Sequence, residues 1–150
     1  MDNIDRKILA ELQSDGRLSV TELADRIGLS LSPCHRRVRA LEQSGVIRGY
    51  KAQLDPGNLG FNFSALVFVT LREGDRQAVE AFETAVMEVP QVIQAQRLFG
   101  DPDYLLQVVS RDLSAFQQLY DEQLSSLPSV QRLISTLVMK NVVQDRPLPL

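Results

Sequence analysis

SLSPCHRRVRALEQSGVIRGY, Ser30 to Tyr50, interleaves an apolar stripe with arginines at helical spacing. Ser32 is a good N-cap, and Pro33 suits the first helical position, where its missing N–H costs nothing. At about 100° per residue, Cys34, Val38 and Leu41 fall on one face. Ser32, Arg36, Arg39 and Gln43 fall on the opposite face. His35 lies on one flank and Arg37 on the other, near the edge of the apolar stripe. Ser44-Gly45 ends the helix. Val46–Lys51 and Ala52–Leu54 then read as a short β element leading away. Between residues 32 and 51 stand Arg36, Arg37, Arg39, Arg48 and Lys51 against Glu42 alone, a local net charge of +4.

Working back toward the N-terminus, Asp2 caps a first helix carrying Ile4, Ile8, Leu9 and Leu12 at helical spacing. Asp15-Gly16 stops it. Ser19 with Glu22 three residues on is a capping box for a second helix, ended by Gly28. The break Gly28-Leu29-Ser30 is as short as a helix-turn-helix requires. Three helices, a tight turn and an extended tail make a winged helix-turn-helix over residues 1–53. In that motif the helix N-terminus lies over base edges in the major groove. The expected DNA contacts are Ser30, Ser32, Pro33, His35 and Arg36, with Arg37 and Arg39 on phosphates, which set register rather than sequence. A basic helix face alone is usually only solvated, and it is the turn and tail around it that carry the DNA reading. Cys34 reads as a small buried apolar residue. His35 has no second His or Cys at ligand spacing, so no metal site is expected.

The 150 residues are 44% hydrophobic and 23% charged, the balance of a globular protein. Net charge is −3, but residues 1–55 hold 9 basic and 8 acidic side chains while residues 56–150 hold 7 and 11. An acidic chain with one basic patch fits a focused phosphate contact, because screening confines such attraction to about 8–10 Å. No apolar run is long enough for a bilayer, and the start MDNIDRK lacks a secretory h-region. One cysteine allows no internal disulfide. These features lead to an expectation of a cytoplasmic protein with no membrane partner.

QLDPGNLG, Gln53–Gly60, is rich in turn formers, and residues 54–62 read as a linker. Beyond it, Phe63–Leu71 is a strand. A helix carries Val79, Phe82, Ala85 and Val86. Val92–Phe99 and Tyr104–Val109 are strands flanking the turn Gly100–Asp103. A second helix carries Phe116, Leu119, Tyr120 and Leu124, and a last strand runs from Val130 to Val143. An offset of 38 aligns Phe82 with Tyr120, Val86 with Leu124, Pro90 with Pro128 and Val92 with Val130. Two such halves make a ferredoxin-like βαββαβ domain over residues 63–150, with both helices on one sheet face. The other face, to which Leu66, Phe68, Val92, Leu106 and Val108 are assigned, is expected to be covered by a second copy. The fold class is thus α+β.

IDRKIL, ELADRIGLS, RRVRALEQSGVIRGY, LDP, GDPDY and STLVM, in that order, resemble the leucine-responsive regulator/AsnC (feast/famine) family over nearly the full length. PCHRR is similar to a subgroup with Pro-Cys-aromatic-Arg-Arg, with His35 in place of the aromatic residue. The resemblance implies a transcriptional regulator that binds double-stranded DNA and responds to a small amino acid. It implies homodimers, assembling to octamers, with the effector held between dimers. Carried over by position, the effector site falls on Gly100, Asp101, Asp103 and Tyr104, with Ser135 and Thr136 on the last strand. Loop N–H groups would hold a carboxylate and Asp103 an ammonium. Without the resemblance GDPDY is a plain β-turn. Pro102 departs from the family pattern and removes a donor.

Two other functions compete. An effector-independent, nucleoid-type architectural DNA-binding protein would share the reading head and the assembly. An enzyme is not expected, nor any cofactor. The single His sits on the basic helix, and no phosphate loop, nucleophile motif or metal-ligand cluster stands in the chain.

Overall fold

The computed structural model describes residues 1–150. Two compact units emerge, Met1–Gln53 with Val142–Leu150, and Leu54–Asn141.

The first unit is built on three helices, α1 (Asn3–Ser14), α2 (Val20–Ile27) and α3 (Leu31–Gln43). Capping boxes start the first two: the Asp2 carboxylate and Asp5 exchange backbone N–H bonds, as do Ser19 and Glu22. Each satisfies two donors that a helix start leaves orphaned. Gly28 closes α2 with φ +71°, a left-handed turn that an L side chain adopts only at a cost. Its N–H donates to the Asp25 carbonyl and that of Leu29 to the Ala24 carbonyl, a Schellman pair. One three-sided core of Ile8, Leu9, Leu23, Ala24, Cys34, Val38 and Leu41 holds the helices together.

Two expectations change here. The third helix begins at Leu31, not after Ser32. Ser30 is the N-cap, makes no side-chain capping bond, and Pro33 is the third helical residue. Proline is tolerated there because the first four N–H groups have no intrahelical acceptor. The expected β element at Val46–Leu54 is absent: Val46 and Ile47 form a bend and the residues after them pair with no strand. A strand needs a ladder partner, and Ile47 instead donates its N–H to Leu41 and packs on the helical core.

The second unit is a four-stranded antiparallel sheet in the order β2-β3-β1-β4: β1 (Phe63–Leu71), β2 (Val92–Arg97), β3 (Tyr104–Ser110) and β4 (Val130–Leu137). Helices α4 (Arg76–Met87) and α5 (Leu113–Glu122) belong to the two βαβ halves. Each is capped by an aspartate, Asp75 accepting from the Ala78 N–H at 2.8 Å and Asp112 from that of Ala115 at 2.7 Å. β2 ends at Arg97, where the Leu98 N–H turns to the Asp103 carbonyl. β4 ends at Leu137 rather than Val143; its last bond to β1 runs from the Val138 N–H to the Ser64 carbonyl, and β1 itself begins at Phe63.

Register separates the two sheet faces. Ala65, Val67 and Val69 are fully buried, and their cross-strand partners Val108, Leu106 and Tyr104 lie with them under the helices. Leu106, Val108 and Val92 therefore belong to the helix-side core, not to the bare face. The bare face carries Leu66 and Phe68 beside Gln107 and Leu105 on β3, and beside Thr136 and Ile134 on β4. A one-residue change of parity moves a side chain to the opposite face, which is why strand membership alone misassigned three of five.

Candidate DNA interface and effector loop

On α3, Ser32, His35, Arg36 and Arg39 are exposed while Cys34, Val38 and Leu41 are buried. Residues at i, i+4 and i+7 share a helix face, so Ser32, Arg36 and Arg39 form one outward row. Ser30 is exposed at the turn and Pro33 is half-buried on its shoulder. Burial pushes the Cys34 thiol above its usual range.

Arg37 does something else. Its guanidinium sits 2.8 Å from the Asp2 carboxylate and 2.8 Å from that of Asp5. Both acids belong to the N-terminal capping box of α1, so Arg37 ties α3 to the start of α1. Backbone N–H donation from Asp5, then the Arg37 side chain, hold the Asp2 carboxyl below its ordinary value. Reading Arg37 as a phosphate ligand missed this, since nothing in the local sequence places residues 2 and 37 together. Arg36 and Arg39 on α3, and Arg48 and Lys51 in the segment that follows it, stand in no ion pair. No group of three or more His, Cys, Asp or Glu is placed to hold a metal ion.

The Gly100–Tyr104 loop joins β2 to β3. Gly100 has φ +145°, and the Asp101–Pro102 peptide is cis. Asp103 anchors the loop three ways. Its carboxylate accepts the Leu71 N–H at 2.8 Å, its N–H donates to the Val69 carbonyl at 2.9 Å, and its carbonyl accepts from Leu98 at 2.8 Å. One oxygen of that carboxylate, Oδ2, thus holds the end of β1. Tyr104 is buried on the helix side. Its hydroxyl donates to the Glu83 carboxylate at 2.7 Å and its ring packs 4.6 Å from Phe82. Burial, then Glu83, push its phenol up to about 12. Tyr104 is thus a core residue. Gly100 and Asp101 remain exposed.

Ser135 and Thr136 point to opposite faces of the edge strand β4. Ser135 pairs with buried Val67, and it lines a cavity of about 370 Å³ with Leu113, Phe116, Gln117 and Tyr120. Thr136 pairs with Leu66 on the bare face. With β1 standing between β3 and β4, one chain does not bring these two residues to the loop.

Residues 1–48 match a family model for winged helix-turn-helix DNA-binding domains, and residues 64–148 match the model of the Lrp/AsnC ligand binding domain. The chain belongs to the Lrp/AsnC family. It is a DNA-binding transcriptional regulator with a C-terminal domain for a small amino-acid ligand. The family is one of regulators, not of enzymes. The chain is 43% identical to the leucine-responsive regulatory protein of Escherichia coli K12 over 148 residues, covering 99% of this chain and 90% of that one. Identity to the Klebsiella pneumoniae protein of the same name is 42%, with the same coverage. A transcriptional regulator of Neisseria meningitidis, solved as an L-Met complex, superposes with a TM-score of 0.94 at 38% identity, covering 99% of this chain and 96% of that one. An AsnC family regulator from Agrobacterium tumefaciens superposes at 0.93 with 35% identity, covering 99% and 97%. No helix is long and apolar enough to cross a membrane.

Proposed function

We propose that this regulator reads operator DNA through the exposed row Ser32, Arg36 and Arg39, with Ser30, His35 and the Pro33 shoulder over base edges. The observation that carries the reading is the division of the arginines: Arg36 and Arg39 are free and outward, while Arg37 is consumed by Asp2 and Asp5. It works in the cytoplasm as a homodimer built on the bare sheet face, where Leu66, Phe68, Leu105 and Ile134 form a continuous apolar strip across three strands. Dimers assemble further to octamers. The effector is an aliphatic or thioether amino acid, in line with the leucine-responsive and methionine-bound relatives. Its site is the exposed Gly100–Asp101 edge of the loop, completed by Ser135 or Thr136 of another copy, since within one chain these groups stand apart. Asp103 and Tyr104 shape that loop from behind.

Selection of bound DNA from a random pool, with and without leucine or methionine, tests the whole reading. Pseudo-palindromic sites with half-sites about 10 base pairs apart are expected, with enrichment changed by one of the amino acids. A pool without symmetric sites rules out the paired reading heads. A pool indifferent to either amino acid rules out the effector class.

A further inference from the structure

The wing segment Val46–Lys51 carries Arg48 and Lys51, neither of them in an ion pair, yet it has no strand partner. What lies beside it is a segment from far along the chain. Arg146-Pro147-Leu148-Pro149-Leu150 groups with the helices of the first unit. The Leu148 N–H donates to the Gln13 side-chain oxygen at 2.7 Å, and the Gln13 amide donates back to the Leu148 carbonyl at 3.3 Å. One side chain thereby takes both backbone groups of one residue, as a neighbouring strand would. Leu148 and Leu150 then form one wall of a cavity of about 840 Å³, whose other walls include Leu9, Leu12 and the wing segment.

The composition of the segment favours this role. Prolines fix φ at 147 and 149, and a residue before proline is confined to extended backbone, which covers Arg146 and Leu148. Little conformational freedom is left to lose on docking. Prolines have no N–H, so Leu148 offers the only donor between them, and Gln13 accepts it. The attachment is through the backbone, for the Leu148 side chain itself is largely exposed.

We propose that Arg146–Leu150 is a strap, anchored on Gln13 of α1, that walls in the wing segment across their shared cavity and holds Arg48 and Lys51 in position to meet DNA phosphates. The strap follows β4 in sequence, so the chain enters the DNA-reading unit twice, once through the linker and once from the ligand-binding domain's last strand. The inference rests on the reading that the wing touches DNA, and the test separates the two.

Two variants of the full protein suffice: deletion of residues 146–150, and Gln13→Leu, an exposed position whose change removes both hydrogen bonds. Amide hydrogen exchange without DNA reads the strap alone. Exchange at Ile47, whose N–H is the segment's one hydrogen-bonded amide, is expected to quicken in both variants while exchange in α2 stays unchanged. Operator affinity is expected to fall three- to tenfold in both, with a shallower salt dependence. Adding Arg48→Ala and Lys51→Ala to the deletion should cost no more, whereas in the intact chain that pair should cost a similar factor. Unchanged exchange at Ile47 overturns the strap. Quickened exchange with unchanged affinity overturns the wing's contact with DNA instead. Additive losses show that the deletion acts elsewhere and overturn the link between strap and wing.

Discussion

Arg36 and Arg37 are neighbours with different duties, and the difference can be measured. Replacing Arg36 or Arg39 with alanine is expected to leave the melting temperature unchanged and to weaken operator binding. The logarithmic salt slope should fall by about one for each phosphate that no longer has a cationic partner. Replacing Arg37 should lower the melting temperature of the first unit, because Asp2 and Asp5 lose a shared partner. The same network sets the acid response. Asp2 and Glu22 are both held below their ordinary values, the largest cause in each being a backbone N–H of its own capping box. A carboxyl whose folded-state value is depressed stabilises the fold above its unfolded value, and that contribution is lost as pH falls through the folded-state value. Thermal melts should therefore be flat near neutrality and fall below about pH 4. Arg37→Ala should flatten that fall, and an unchanged acid limb in this variant would remove Arg37 from the account. The outward direction of Arg36 and Arg39 was legible in helical spacing alone. The capture of Arg37 was not, because 35 residues of chain separate it from Asp2.

At the scale of elements, the turn between α2 and α3 sets the angle of the reading helix, and Gly28 sets the turn. A Cβ at this position meets no atom within 4 Å, so the cost of Gly28→Ala is the left-handed backbone alone. That cost is about 1–2 kcal/mol. Gly28→Asn should recover much of it, since asparagine tolerates this conformation. Chemical denaturation of the three proteins checks the order; equal destabilisation by Ala and Asn would point to altered packing instead of strain. The Asp2 cap, the Ser19–Glu22 capping box and the two βαβ halves were readable from sequence, with β1 placed at its observed bounds; that Asp5 completes a second box was not. The start of α3 was not, since Ser30 and Ser32 are both acceptable cap residues. The wing strand was over-read because strand propensity says nothing about whether a ladder partner is within reach.

For the whole molecule, the exposed apolar strip on the sheet is the feature with the largest consequence. Ile134 is half-exposed on edge strand β4, so a charge there costs the isolated fold little. Ile134→Lys is expected to give a monomer by sedimentation, with an unchanged circular dichroism spectrum. Operator affinity should then drop by about 10²-fold or more as the two reading heads act singly. A dimer that persists in this variant would place the interface elsewhere. The acidic balance of the second unit leaves DNA to the first. Paired heads would concentrate the modest local charge of α3 and the segment after it into a reader with defined spacing.

The architecture was legible in the order of the residues. Helical and strand periodicities, caps and the repeated helix–Pro–Val pattern report interactions between residues a few positions apart, and such local rules survive without knowledge of the fold. Which helix carries the free positive charge was legible there as well. Only the tertiary structure decided which face each strand residue serves, because parity is set by cross-strand register. It alone decided that Arg37, Asp103 and Tyr104 brace the fold with their polar atoms while Arg36, Arg39, Gly100 and Asp101 stay open. Those partners, Asp2, Leu71 and Glu83, lie 21 to 35 residues away in sequence. No local pattern reports interactions at that range. They exist only once the chain has closed on itself.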